Sequence, residues 1–183
     1  MRSEAEKRTI KTPKIHIYTG DGKGKTTAAL GLGLRAAGCG FRVVMLQFLK
    51  TTPCGELAAL GHVPGFSVVR PHRGNQGFFW NMTEEEKRAF THEVREGFAM
   101  AQELMQNRAC DMLILDEIFG CLQNGQITEA ELLTLMQNKT AELVLTGRNA
   151  PQSAVCAADY VSEIRAVKHP METGLDAREG IEF

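Results

Sequence analysis

Little in this sequence acts over long range. Lys and Arg number 21 against 22 Asp and Glu, a formal net charge of −1. Such a balance offers no broad attraction to nucleic acid or to an anionic membrane surface. No run of about 18 apolar residues is present, as a membrane-spanning helix requires. The opening MRSEAEKRTIKTP is polar and lacks the apolar centre of a signal peptide. The five cysteines, at 39, 54, 110, 121 and 156, are odd in number and contain no CxxC pair. That argues against a disulfide framework or a cysteine zinc site, and for reduced thiols. These absences lead us to expect a soluble, cytoplasmic protein. Any anionic ligand must be held by local geometry.

What is present fits one ordinary domain. The chain has 183 residues, 43% hydrophobic and 23% charged, enough to build a core without disulfides. We take residues 1–13 as a polar extension and 14–183 as the domain. Apolar, β-prone segments at 15–18, 41–48, 66–69, 112–115, 142–145 and 160–164 predict strands. Helices are expected from the glycine-rich loop to about Ala37, from Thr83 to about Asn107, and from Thr128 to about Asn138. Thr83 with Glu86, and Thr128 with Glu131, have capping-box spacing. Pro151 stands where a further helix would begin. Residues 50–82 hold three prolines and five glycines and read as irregular, with one short strand. A stretch of that kind in a compact domain is more often functional than idle. Strands alternating with helices predict an α/β fold: a mostly parallel sheet with helices on both faces. Ligands in such folds sit beyond the carboxyl ends of the strands.

The chemistry is concentrated there. Gly20, Asp21, Gly22, Lys23, Gly24, Lys25, Thr26 and Thr27 lie between a strand and a helix, the context a phosphate-binding P-loop requires. Glycines let backbone N–H groups turn toward phosphate oxygens, and the helix adds its positive end. Lys25 would reach phosphate, and the Thr26 hydroxyl would join the shell of Mg²⁺. The spacing is unusual. Thr19 stands where the usual first glycine would be, and Gly20 follows one residue later. A glycine-rich turn that binds nothing would have to bring strand, loop, lysine, hydroxyl and helix together by chance. Leu113–Glu117 reads as an apolar strand ending in an acidic metal-site pair. Asp116 and Glu117 point in different directions on an extended chain, so one contacts the metal and the other supports it. On these grounds alone a kinase, an ATPase motor, a nucleotide-gated switch and a group transferase all remain open.

Seven ordered segments together carry a more specific resemblance. They are TGDGKGKTT at 19–27, QFLK at 47–50 with Gly55-Glu56, GFFW at 77–80, LILDE at 113–117, LTGRNAP at 145–151, VKHP at 167–170 and the terminal GIEF. The chain resembles the P-loop corrinoid adenosyltransferases, the CobA and BtuR enzymes, from about residue 14 to 183. The resemblance implies a single-domain P-loop NTPase-like (RecA-like) fold. It also implies transfer of the 5′-deoxyadenosyl group of ATP to Co(I) of a corrinoid, cobalamin or a precursor such as cobinamide, with triphosphate leaving in one piece. Family members bind MgATP with the triphosphate reversed in the P-loop.

Carried over by position, Lys25 and the loop amides hold phosphates, Thr26 and Glu117 bind Mg²⁺, and Asp116 supports them. Arg35 and Arg148 lie near the nucleotide, and Lys168 and His169 line the site. Phe78 and Trp80 pack against the lower face of the corrin and exclude a ligand there. The resemblance further implies a homodimer and an electron donor such as a flavoprotein. The chain departs from the family in its short N-terminal extension and in Met171, where relatives often have an aromatic residue. Two rivals stand beside this reading. An ATPase or kinase acting on the γ-phosphate would release ADP, and a non-catalytic corrinoid or nucleotide carrier would form no Co–C bond.

Overall fold

The computed structural model describes residues 9–50, 54–72, 79–170 and 174–181, with Trp80 described by its backbone alone. The elements run β1 (Ile15–Thr19), α1 (Lys25–Gly38), β2 (Val43–Gln47), α2 (Gly55–Leu60) and β3 (Phe66–Val69). A 3-10 turn at Phe79–Asn81 precedes α3 (Glu84–Gln106) and β4 (Met112–Asp116). Then follow α4 (Ile118–Gln123), α5 (Glu129–Gln137), β5 (Glu142–Thr146), α6 (Gln152–Ala157) and β6 (Tyr160–Glu163).

The six strands form one sheet in the order β3-β2-β4-β5-β1-β6. All five pairings are parallel. The central strands are apolar along their length because both faces of the sheet are covered. Side chains alternate between those faces. Ile15, Ile17, Leu113, Leu115, Leu143 and Leu145 join α3, α4 and α5 in one buried cluster. Val43, Met45, Met112, Ile114 and Val144 pack with Ala29, Ala36 and Ala37 of α1 in the other. The fold is therefore α/β and P-loop NTPase-like, with helices on both faces as expected.

Local sequence signals set several boundaries. Thr83 and Thr128 each close a full capping box, with Glu86 and Glu131 respectively. Pro151 is the N-cap of α6. Strand β2 starts at Val43, two residues later than its apolar run suggests. The Arg42 backbone N–H donates to the Asp111 carboxylate at 2.8 Å and its guanidinium to the same group at 3.1 Å, so this clamp replaces the sheet ladder. Helices α2 and α4 are not expected from the sequence. Each has six residues, too few for a helical period to declare itself.

Register then aligns the carboxyl ends. Gln47 lies opposite Asp116, and Tyr18 opposite Thr146. The strands of the P-loop and of Asp116 are separated by β5 alone. Loops from β1, β2, β4 and β5 thus meet at one edge of the sheet.

Candidate nucleotide site

The glycine-rich loop turns between β1 and α1 beneath the segment after β6. The Gly22 N–H donates to the Ile164 carbonyl at 2.8 Å, and the Ala166 N–H to the Asp21 carboxylate at 3.2 Å. That second bond is the main cause holding the Asp21 carboxyl below its ordinary range. A Cβ on Gly20 would lie 2.3 Å from the Ile164 carbonyl oxygen, and one on Gly22 would lie 2.7 Å from the Arg165 carbonyl carbon. Only glycine permits backbone to approach backbone so closely. Gly20 and Gly24 also have φ of 103° and 121°. Lys23 Nζ donates to the Ile181 carbonyl at 3.0 Å, which ties the loop to the C-terminal tail.

Lys25 opens α1 and is buried, its Nζ donating to the Gly22 carbonyl at 2.8 Å. Burial, chiefly, pushes its pKa down, and the nearby Arg148 adds to the effect while Glu117, Asp21 and Asp116 oppose it. A buried ammonium held by one carbonyl is poised to donate to anionic oxygens.

Below the loop, Asp116 is fully buried and its oxygens are surrounded by donors. Oδ1 accepts from Thr26 Oγ1 at 2.9 Å and from Thr146 Oγ1 at 2.7 Å. Oδ2 faces Lys50 Nζ at 3.0 Å and Gln47 Nε2 at 3.4 Å. Lys50 Nζ also donates to Thr26 Oγ1 at 3.0 Å, and the Arg70 guanidinium steadies Gln47 through its Oε1 at 3.0 Å. Strands β2, β4 and β5 therefore converge on the loop's threonine.

Glu117 leaves this network and lines the cavity instead. It adopts φ 62°, and its N–H donates to Thr146 Oγ1 at 2.9 Å. Burial, followed by the adjoining Asp116, raises its pKa, while Lys50, Lys25 and Arg148 pull it back. Leu49 and Asn149, at φ 56° and 54°, are left-handed on the neighbouring loops. Three left-handed side-chain-bearing residues at one sheet edge mark it as functional.

These parts enclose a cavity of about 510 Å³, lined by Asp21 to Thr27 of the loop together with Lys50, Glu56, Glu117, Arg148 and His169. Arg148 and His169 are among the lining residues. Lys168 is exposed and not among the lining residues. Arg35 is likewise not among the lining residues. It lies in the exposed last turn of α1, ten residues past Lys25. Phe78 lies outside the described residues, as does the side chain of Trp80. Their neighbour Phe79 packs against Phe90 of α3, with ring centroids 5.9 Å apart. Sequence reasoning gave no role to Lys50, Glu56, Gln47 or Thr146. Lys50 and Glu56 stand in segments that carry the resemblance, but only sheet register brings Gln47 and Thr146 to Asp116.

A phosphate loop between the first strand and first helix, with a buried aspartate bound to the loop's threonine, defines a P-loop nucleotide-binding α/β protein. Its particular kind is shown by comparison. Residues 11–183 match the model of the ATP:corrinoid adenosyltransferase BtuR/CobO/CobP family, and the chain belongs to that family. It is 34% identical to the corrinoid adenosyltransferase of Escherichia coli (strain K12) over 173 residues, covering 92% of this chain and 85% of that one. It is 32% identical to that of Pseudomonas aeruginosa, covering 91% and 82%. The corrinoid adenosyltransferase CobA of Salmonella typhimurium is also 32% identical, covering 92% and 85%. A solved DNA replication initiation factor superposes with a TM-score of 0.40 at 18% identity, over 91% of this chain and 47% of that one. That superposition is too loose to bear on function. No helix among the described residues is long and apolar enough to cross a membrane.

Proposed function

We propose that this protein transfers the 5′-deoxyadenosyl group of ATP to the Co(I) centre of a corrinoid, releasing inorganic triphosphate. The observation that carries the proposal is the P-loop cavity with Lys25, Lys50 and Arg148 on its wall, in a chain that belongs to this family. The cobalt electron pair forms the Co–C bond to the ribose 5′ carbon. The bond from that carbon to the α-phosphate oxygen breaks, and triphosphate leaves with its electron pair. Charge therefore grows on the whole leaving group, which suits a site with several cations on its wall. Lys25 and the loop amides hold the phosphates, and Arg148 closes on them from the β5 loop.

The oxygen donors fit Mg²⁺. Among the described residues no cluster of three or more His, Cys, Asp or Glu forms a metal centre by itself. Mg²⁺ bound with nucleotide needs only one or two carboxylates, a hydroxyl and phosphate oxygens. Thr26 and Glu117 would hold it, with Asp116 fixing the Thr26 hydroxyl. When bound, the ion neutralises phosphate charge. Phe78 and Trp80 cover the lower face of the corrin and keep water and other ligands from the cobalt. The protein works as a homodimer with an electron donor such as a flavoprotein. All five cysteines are free, which suits a reducing cytoplasm.

The test mixes protein, MgATP and chemically generated cob(I)alamin. The expected result is loss of the Co(I) spectrum, a light-sensitive Co–C product and one inorganic triphosphate per turnover. Release of ADP, or binding of both ligands without a Co–C product, would overturn the proposal.

A further inference from the structure

Lys50 stands out because the mechanism above gives it no task beyond adding charge, yet its position is closely specified. Its Nζ lies 3.0 Å from Thr26 Oγ1 and 3.0 Å from Asp116 Oδ2. Those are the hydroxyl and carboxylate beside which Mg²⁺ is held in the reading above. Asp116 is 0% exposed, and a carboxylate so buried needs a compensating charge. Lys50 is the one cation within ion-pair distance of it among the described residues. Two neutral hydroxyls and an amide fill its remaining acceptor positions.

The backbone is shaped for this contact. The Phe48 N–H extends the β2–β4 ladder by donating to the Asp116 carbonyl at 3.0 Å. Leu49 then turns left-handed, at φ 56°, a conformation that costs a leucine energy and that the surrounding structure must hold. The Lys50 side chain returns over the sheet edge and remains 29% exposed on the cavity wall. It is both tied to the aspartate and in contact with the cavity.

We propose that Lys50 is a resident stand-in for the divalent cation. In the nucleotide-free protein its ammonium balances Asp116 and holds the Thr26 hydroxyl in place. It thereby keeps a divalent cation from binding without nucleotide. When metal and triphosphate enter together, Lys50 releases Thr26 and turns to the phosphate oxygens, so positive charge moves from the metal site to the leaving group. Lys50 is thus a positioning residue that couples metal binding to nucleotide binding. This inference rests only on the nucleotide and Mg²⁺ part of the proposed function and does not depend on the corrinoid.

The experiment measures Mn²⁺ binding without nucleotide, from the electron paramagnetic resonance signal of free Mn²⁺, for wild type, Lys50→Met and Lys50→Arg. Thermal denaturation in EDTA and in excess Mg²⁺ accompanies it. Lys50→Met should bind Mn²⁺ at least about tenfold more tightly than wild type, the factor expected when one charge-assisted contact stops competing. Its melting temperature should fall in EDTA and recover in Mg²⁺. Wild type and Lys50→Arg should bind Mn²⁺ weakly and melt alike in both solutions. A structural role alone would lower stability without raising metal affinity. Lys50→Met binding Mn²⁺ no more tightly than wild type would overturn the inference, as would a melting temperature that Mg²⁺ does not restore. If Lys50→Met is unfolded even in Mg²⁺, Lys50→Gln takes its place with the same expected tenfold gain. Wild-type MgATP binding is measured alongside. Its absence would refute the proposed function, whereas its presence with no gain in the variants would refute this inference alone.

Discussion

Replacing Gly22 by alanine tests the packing beneath the phosphate loop. The new Cβ would stand 2.7 Å from the Arg165 carbonyl carbon, 2.8 Å from the Ile164 carbonyl oxygen and 2.9 Å from the Arg165 carbonyl oxygen. All three are backbone atoms, so no flexible side chain can swing away. The loop must instead lift from the segment after β6, stretching or breaking the 2.8 Å bond from Gly22 N–H to Ile164. Overpacking of this kind costs about 1–3 kcal/mol, and a lost hydrogen bond adds about 0.5–1.5 kcal/mol. We therefore expect a loss of roughly 2–4 kcal/mol. For a chain of this length that lowers Tm by about 4–16 °C, measurable by circular dichroism. Displacing the Gly22 carbonyl also frees Lys25 Nζ from its 2.8 Å contact, so MgATP affinity should fall by calorimetry. A Gly22→Ala protein that melts within about 2 °C of wild type and binds MgATP equally well would refute the reasoning.

Four further outcomes are expected. Lys25→Ala should reduce adenosyl transfer to below about a tenth, since one charge-assisted contact is worth about 1.5–3 kcal/mol; higher residual turnover by triphosphate release would contradict the role. Asp116→Asn turns an acceptor into a donor against Thr26, Thr146 or Lys50 and should destabilise the protein by about 3–5 kcal/mol, seen as a lower urea midpoint; a small loss would mean the network is dispensable. Burial lifts the Glu117 pKa, so its metal-free fold is most stable below the ordinary carboxyl range and loses that advantage as pH rises through the raised pKa. Glu117→Gln should therefore melt higher than wild type at neutral pH in EDTA yet require more Mg²⁺ for turnover, and a lower Tm together with an unchanged Mg²⁺ requirement would reject both the burial argument and the metal role. Phe78→Ala and Trp80→Ala should slow transfer when the assay starts from cob(II)alamin and a mild reductant. Preformed cob(I)alamin should rescue both variants; equal failure from either cobalt state would make the pair structural.

Much of the fold was legible in the sequence because its signals are local. The strand, glycine loop and helix around Lys25 are contiguous in the chain. The capping boxes at Thr83 and Thr128 each need only four residues. All six strands were visible as apolar, β-prone segments. The turn-rich stretch 50–82 hid α2, because six residues contain less than two helical turns. In the same way α4 was hidden behind the left-handed Glu117.

The candidate site divides along the same line. The glycine-rich loop and the acidic pair at the end of β4 could be found from spacing alone. Arg35, put near the nucleotide by the resemblance, stands in the exposed last turn of α1 and does not line the cavity. Conversely, Thr146 is 30 residues from Asp116 and Gln47 is 69, yet both are bonded to it. Those contacts arise from parallel register, which places strand ends side by side whatever their separation in the chain. Lys50 reaches Thr26 and Asp116 because β2 pairs with β4 and because Leu49 accepts a left-handed turn. Local pattern therefore determined the parts of the site. Only tertiary structure decided which of them share a charge, since a buried carboxylate takes its partners from whatever the sheet brings within about 3 Å.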